Sequence, residues 1–333
     1  MPTASLLVCD DSNMARKQLL RALPAEWPVT ISQAGNGEEA LAQLRASRFD
    51  LLLLDLTMPV LDGYGVLAAL KAEGLAQNVI VVSGDVQEEA IRRVKALGAL
   101  AFLKKPADPE LLRQTLGQLG FLSAPAVPAT KPVSALSEPT VSFRDAFREV
   151  INVAMGQAAA LLARVLGVFV QLPIPNVNIL EVSELHMALA DAQRGNGLTA
   201  VCQGYIGGGM CGEALLIFHD SEVADMAKLM KWQHEDYSSM EMLLDMSSVL
   251  IGACLSGIAS QLDVSFSQGH PQVLGEHASI DELIRINSQR WRKTLAVEVS
   301  YSIEGHNIHF DLLLLFTEDS VPLLTGKLAY LME

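Results

Sequence analysis

The chain is poor in cysteine, in positive charge and in aromatic side chains, and each shortage closes off a class of function. Its four cysteines, Cys9, Cys202, Cys211 and Cys254, are scattered without close pairs. That excludes a zinc site or a disulfide framework, and Cys9 and Cys254, inside apolar runs, read as core residues. Lysine and arginine number 24 against 38 aspartates and glutamates, a formal net charge of −14. The deficit is concentrated: residues 1–120 hold 14 acidic and 12 basic side chains, residues 121–333 hold 24 and 12. DNA contact is therefore not expected, because phosphates need clustered Lys and Arg, and the second half shows neither a helix-turn-helix pattern nor a basic helix. The N-terminus lacks the basic-then-apolar pattern of a signal peptide, and Asp or Arg is read as interrupting the long apolar stretches well short of about 18 residues. No membrane contact and a cytoplasmic location are the expectation. What the chain has in quantity is apolar side chain, 50% of 333 residues, enough for two or three domains with separate cores.

From residue 5 to about 119, short apolar runs (SLLVC, VTISQA, FDLLLLD, NVIVVS, LAFLKK) alternate with amphipathic stretches. Five such alternations predict an α/β domain over 1–120, a doubly wound, five-stranded parallel sheet whose ligands bind at the carboxyl ends of the strands. Residues 121–141, with Pro125, Pro128, Pro132 and Pro139 among Ala, Ser and Thr, read as a semi-extended linker. Such a segment spans from about 25 Å as a coil to about 60 Å if fully polyproline-like. Residues 142–333 predict an α+β domain in which a long helix, several strands and a helix occur in that order twice. GEALLIFHDSEVADM and DLLLLFTEDSVPLL are alike, which supports a pseudo-two-fold duplication.

Asp10, Asp11, Asp55, Ser83 and Lys105 all fall at predicted strand ends. Phosphorylating a carboxylate at neutral pH calls for a divalent metal, then for cations and hydroxyls to hold the transferred oxygens. Asp10, Asp11 and Asp55 would supply hard oxygen ligands for Mg²⁺, Lys105 would neutralise one phosphoryl oxygen and Ser83 would hydrogen-bond another. Taken alone, Asp11 before Ser12 reads equally as a helix cap. The motifs VCDDS, Asp55-Leu-Thr-Met-Pro followed by Asp62-Gly63, VVSGD, and Phe102 ahead of Lys105-Pro106 resemble the receiver domain of two-component response regulators across residues 1–120. The resemblance implies phosphotransfer from a histidine kinase to Asp55, with Ser83 drawn toward the phosphate and Phe102 turning inward as the switch. Receivers of that family also pair through a helix-strand face, which allows a phosphorylation-dependent homodimer.

In the second domain Asp145, Glu149 and Asn152 stand at i, i+4 and i+7, one face of a helix, and Pro175 follows after twenty-two residues. Glu241, Asp245, Ser248 and Pro271 repeat the spacing. The first set resembles the signature of the CheC, CheX and FliY chemotaxis phosphatases. By that resemblance Asn152 would orient the attacking water, while Glu149 would pair with the lysine of a bound receiver. The second set departs from the pattern, with Asp245 in place of Glu and Ser248 in place of Asn, and is expected to be weak or inactive. Ser142 and Asp145, and Ser238 and Glu241, also read as capping boxes, which would account for two of the acids without chemistry.

Other signals are weaker. Gly207-Gly208-Gly209 through Gly212 formally matches a nucleotide-binding glycine motif but reads as a hairpin turn, and His306 and His309, placed in one strand, would face opposite sides. The chain is thus expected to be a response regulator whose output domain hydrolyses the aspartyl phosphate of a CheY-like receiver, in trans or on its own Asp55. The competing expectation is a phosphorylation-gated adaptor that docks a chemotaxis or flagellar-switch partner without catalysis.

Overall fold

A computed structural model describes residues 3–122, 141–181, 197–230, 238–278 and 293–332. Most of the predicted linker, 123–140, lies outside the described residues. The chain divides into two compact units, residues 1–149 and 150–331.

In the first unit β1 (Ala4–Cys9), β2 (Val29–Ala34), β3 (Leu51–Leu54), β4 (Val79–Ser83) and β5 (Ala101–Lys104) form a parallel sheet in the order β2-β1-β3-β4-β5. Between and after them come α1 (Asn13–Ala22), α2 (Gly37–Ala46), α3 (Gly63–Glu73), α4 (Glu88–Ala96) and α5 (Pro109–Gln118). The strands are continuous apolar runs because both sheet faces are covered. Leu7, Cys9, Leu52 and Leu54 enter one core, while Leu6, Val8, Leu51 and Leu53 enter the other, the period of two dividing each strand between them. Each fully buried leucine contributes about 1.5–3 kcal/mol relative to exposure. Ser12, Asn36, Asp62 and Asp108 each accept a backbone N–H at the start of their helices. Gly63 has no alternative, since a Cβ there would meet the Asp55 carbonyl oxygen at 2.2 Å.

The second unit carries two 24-residue helices, α6 (Phe143–Leu166), whose first turns belong to the first unit, and α8 (Ser239–Leu262). An antiparallel sheet accompanies them, built from β6 (Val170–Gln171), β7 (Asn176–Glu181), β8 (Leu198–Gly207), β9 (Met210–His219), β10 (Ser267–Gln268), β11 (Gln272–Ala278), β12 (Lys293–Ile303) and β13 (His309–Thr317). With α7 (Asp220–Leu229) and α9 (Ser320–Met332), the order helix, two shorter strands, two long strands, helix occurs twice. The pairing is palindromic: β9 and β13 pair at the centre, β8 and β12 flank them, and β10 with β11, or β6 with β7, lie outside. Gly257 lets α6 and α8 meet closely, because a Cβ there would stand 2.7 Å from Ala154 Cα.

Three sequence readings are settled here. The glycine motif is a hairpin turn: Gly208 and Gly209, at φ 59° and 80°, join β8 to β9, and positive φ at both positions is what a tight hairpin demands. His306 is not in a strand with His309, for it lies in the turn between β12 and β13, where its N–H donates to the Ile303 carbonyl. The expectation that charge breaks every long apolar stretch is also corrected, since residues 246–262 contain no charged side chain. Helices α6 and α8 are both long and apolar enough to cross a membrane, yet 72% and 61% of their most apolar windows are buried inside the protein. Helix α8 packs against β8 and β9 and meets α6 at Gly257, which accounts for apolar side chains on those faces.

Candidate functional site

The five strand-end residues converge because of the sheet order. β1 and β3 are neighbours, with Cys9 opposite Leu54, and the Asp55 N–H donates to the Cys9 carbonyl at 2.9 Å. Asp10, Asp11 and Asp55 therefore leave the sheet together. On the other side β4 and β5 end in step, and the Lys105 N–H donates to the Ser83 carbonyl at 2.9 Å.

Asp10, Asp11 and Asp55 each offer a carboxylate oxygen within 4.8 Å of the others. Lys105 Nζ lies 2.7 Å from Asp10 Oδ2 and 3.3 Å from Asp55 Oδ1. Glu149, the last residue of the first unit, places Oε1 3.2 Å from the same nitrogen. Its neighbour Arg148 places Nη2 3.1 Å from Asp11 Oδ2.

Four carboxylates thus share two cations, with Asp10, Asp55, Lys105 and Glu149 buried and Asp11 and Arg148 partly exposed. Burial pushes the Asp55 carboxyl well above its ordinary range; Lys105 pulls it back, while Asp10, Glu149 and Asp11 push it further up. Burial also raises Glu149, against Lys105, and raises Asp11, where Asp10 adds to the effect and Arg148 opposes it. For Lys105 burial works downward, but Asp10, Asp55 and Glu149 outweigh it and hold the ammonium well above its usual value. Neither Asp55 carboxylate oxygen accepts a hydrogen bond among the described residues. Converging carboxylates with unfilled lone pairs and surplus negative charge fit a hard divalent cation, which Asp10, Asp11 and Asp55 would hold.

Ser83 is buried, and its Oγ accepts the Asp85 N–H at 3.2 Å. Asp85 Oδ1 in turn accepts the backbone N–H and the side-chain amide of Gln87, each at 3.1 Å. Burial lifts the Asp85 carboxyl to about 6, opposed by those Gln87 bonds and by Arg93. Phe102 is half-buried and packs against the core that contains Leu54, Leu56 and Val81.

The helix cap beside Asp11 is Ser12, whose side chain accepts the Ala15 N–H, so Asp11 is left to the acidic cluster. Both capping boxes are present. Ser142 Oγ accepts the Asp145 N–H at 3.2 Å while Asp145 accepts the Ser142 N–H at 3.3 Å, and Ser238 with Glu241 does the same at 3.3 and 2.8 Å. Asn152 is buried on α6 and Pro175 immediately precedes β7. In the second set Asp245 is exposed, Ser248 is partly exposed and Pro271 immediately precedes β11.

Sequence reasoning missed Arg148, Asp85 and Gln87. Arg148 lies off the i, i+4, i+7 strip, and nothing in the local sequence pairs it with a residue 137 positions away. The Asp-x-Gln spacing at 85–87 is a legible side-chain turn, but it acquires meaning only from the Ser83 contact.

Residues 6–117 match the family model described as the response regulator receiver domain. The transcriptional regulatory protein ZraR of Salmonella typhimurium is 37% identical over 112 residues, 33% of this chain and 25% of that protein. Protein-glutamate methylesterase/protein-glutamine glutaminase 5 of Myxococcus xanthus is 34% identical over 184 residues, 51% of this chain and 52% of that protein. The matches thus span a quarter to about half the length of these curated relatives. Among solved structures, Thermotoga maritima FliY aligns with TM-score 0.44 and 19% identity over 56% of this chain and 96% of its own. The CheX-CheY-BeF3-Mg complex of Borrelia burgdorferi aligns with TM-score 0.33 and 28% identity over 36% of this chain and 90% of that chain. Residues 6–117 are a response regulator receiver domain, a domain of two-component signalling.

Proposed function

We propose that the protein is a chemotaxis-type response regulator that accepts a phosphoryl group on Asp55 from a histidine kinase, and that its duplicated C-terminal unit hydrolyses the aspartyl phosphate of a CheY-like receiver. The observation that carries this reading is the Glu149 carboxylate 3.2 Å from Lys105 Nζ. A glutamate from the phosphatase-like helix signature engages the lysine of a receiver pocket, the pairing that the resemblance implies.

Bound Mg²⁺ would offset charge on the phosphoryl oxygens. Asp10 and Asp11 would hold it with Asp55, while Lys105 would neutralise one phosphoryl oxygen and Ser83 would donate its hydroxyl to another. For hydrolysis Glu149 pairs with the lysine of the bound receiver, and Asn152, three residues further along the same helix, orients water through its amide. The water oxygen forms a bond to phosphorus as the bond to the receiver's aspartyl oxygen breaks. The carboxylate recovers its electron pair, and the water's protons leave with inorganic phosphate and solvent. A loose transition state asks for little beyond an in-line water, so positioning supplies most of the acceleration. Asp245 and Ser248 offer a shorter acid and a hydroxyl that cannot span water as an amide does, so the second helix contributes little.

The test is phosphate release from a separately phosphorylated CheY-like receiver, and from the chain's own Asp55, with the intact protein and with Glu149→Ala/Asn152→Ala. Acceleration that the double substitution abolishes by 10²-fold or more supports the reading, the order of magnitude of losing an aligned nucleophile. Unchanged release, together with loss of receiver binding in Glu149→Ala, supports the adaptor instead.

A further inference from the structure

The β4–α4 connection holds a polar network of which the proposed chemistry uses only Ser83. Ser83, Asp85 and Gln87 are all buried, in a turn where exposed polar residues would be ordinary. Two side-chain turns follow one another. Ser83 Oγ accepts the Asp85 N–H at 3.2 Å, and Asp85 Oδ1 accepts the Gln87 N–H and Nε2, both at 3.1 Å. α4 has no side-chain cap at Gln87, so the Asp85 carboxylate is what fixes the backbone entering that helix.

A serine hydroxyl has one donor and two acceptor sites. When an acceptor site is filled by a fixed N–H, the rotation that would let the O–H donate to its own turn is disfavoured, and the proton stays available for an incoming oxygen. The direction of the Asp85 N–H depends on where the Asp85 peptide is held, and the Gln87 clamp holds it. We infer that Gln87, acting through Asp85, is a positioning residue that sets the Ser83 hydroxyl to receive a phosphoryl oxygen on Asp55. The inference rests on the receiver reading proposed above and concerns the acceptance step. In that step the phosphoryl group of acetyl phosphate forms a bond to an Asp55 carboxylate oxygen, and acetate leaves with the electron pair of the broken P–O bond. Asp85 is tied to Gln87, and both are assigned a role that acts through Ser83.

The experiment is a double-substitution cycle on the full chain. The rate of Asp55 phosphorylation by acetyl phosphate with Mg²⁺ is measured for wild type, Gln87→Met, Ser83→Ala and the pair, with thermal unfolding recorded alongside. Gln87→Met keeps length and removes the donor; it should slow acceptance by roughly three- to tenfold, the size of one hydrogen bond's net contribution. In the Ser83→Ala background the same change should have an effect below about twofold, because coupled residues are non-additive. Asp85→Asn, which keeps the Oδ1 acceptor, should stay near the wild-type rate, whereas Asp85→Ala should match Gln87→Met. Equal slowing with and without Ser83 would make the network a purely structural turn and overturn the inference while leaving the receiver reading intact. Failure of the folded wild type to accept phosphate would overturn both.

Discussion

Asp85 gives the sharpest physical prediction, because a single substitution isolates one titration. Its carboxyl is 4% exposed and rises from 3.8 to about 6, chiefly through burial. A folded value above the unfolded one means that the native state binds the proton more tightly. The contribution to stability is therefore complete below about pH 4 and is lost as the pH rises through about 6. The gap corresponds to about 3 kcal/mol between the two limits, at about 1.36 kcal/mol per unit. Asp85→Asn keeps an oxygen acceptor for Gln87 but carries no charge to desolvate. The variant should match or fall slightly below wild type at pH 4.5, then gain on it by about 1–3 kcal/mol by pH 8, the lower end allowing for weaker bonds from Gln87 to a neutral acceptor. Urea unfolding followed by Trp27 fluorescence reads the first unit alone once Trp232 and Trp291 are replaced by Phe. Asp11, Asp55 and Glu149 titrate in both proteins, so their contribution cancels in the difference. Parallel pH profiles for the two proteins between pH 5 and 8 would refute the assignment.

Two more expectations concern the acidic pocket and its rim. Arg148 Nη2 lies 3.1 Å from Asp11 Oδ2, so the guanidinium competes with Mg²⁺ for the charge of that carboxylate; Arg148→Ala should tighten Mg²⁺ binding about two- to fivefold by calorimetric titration, the size of one partly exposed ion pair, and weaker binding would count against the competition. Val60, at φ 69° and 73% exposed, sits at the centre of a three-residue turn closed by the Leu61 N–H on the Pro59 carbonyl at 2.8 Å. A β-branched residue is strained there, and Val60→Gly should stabilise the first unit by about 0.5–1 kcal/mol in the same urea assay, with no gain or a loss showing that the turn is unstrained.

Much of the first unit was legible because its signals are local. The apolar runs of four to six residues needed only their length and period to declare buried parallel strands, and Asp10, Asp55, Ser83 and Lys105 could be placed at strand ends from sequence alone. Capping at Ser142 and Ser238, and the hairpin at Gly208-Gly209, were equally readable, since each depends on residues within three positions. The failures came where neighbours distant in sequence decide. His306 and His309 looked like one strand because the turn between β12 and β13 is short and its end is set by the pairing of β13 with β12 and β9. The uncharged stretch 246–262 reads the same for a membrane span and for a core helix, and only its packing beside Ala154 and the sheet distinguishes them. Sequence determined which side chains were available for phosphoryl chemistry. Tertiary structure decided their charge states and contacts, because desolvation and Coulomb interaction depend on what surrounds a group. That is why the raised carboxyl of Asp85, the Arg148 contact to Asp11 and the hold of Glu149 on Lys105 appear only once the chain is folded.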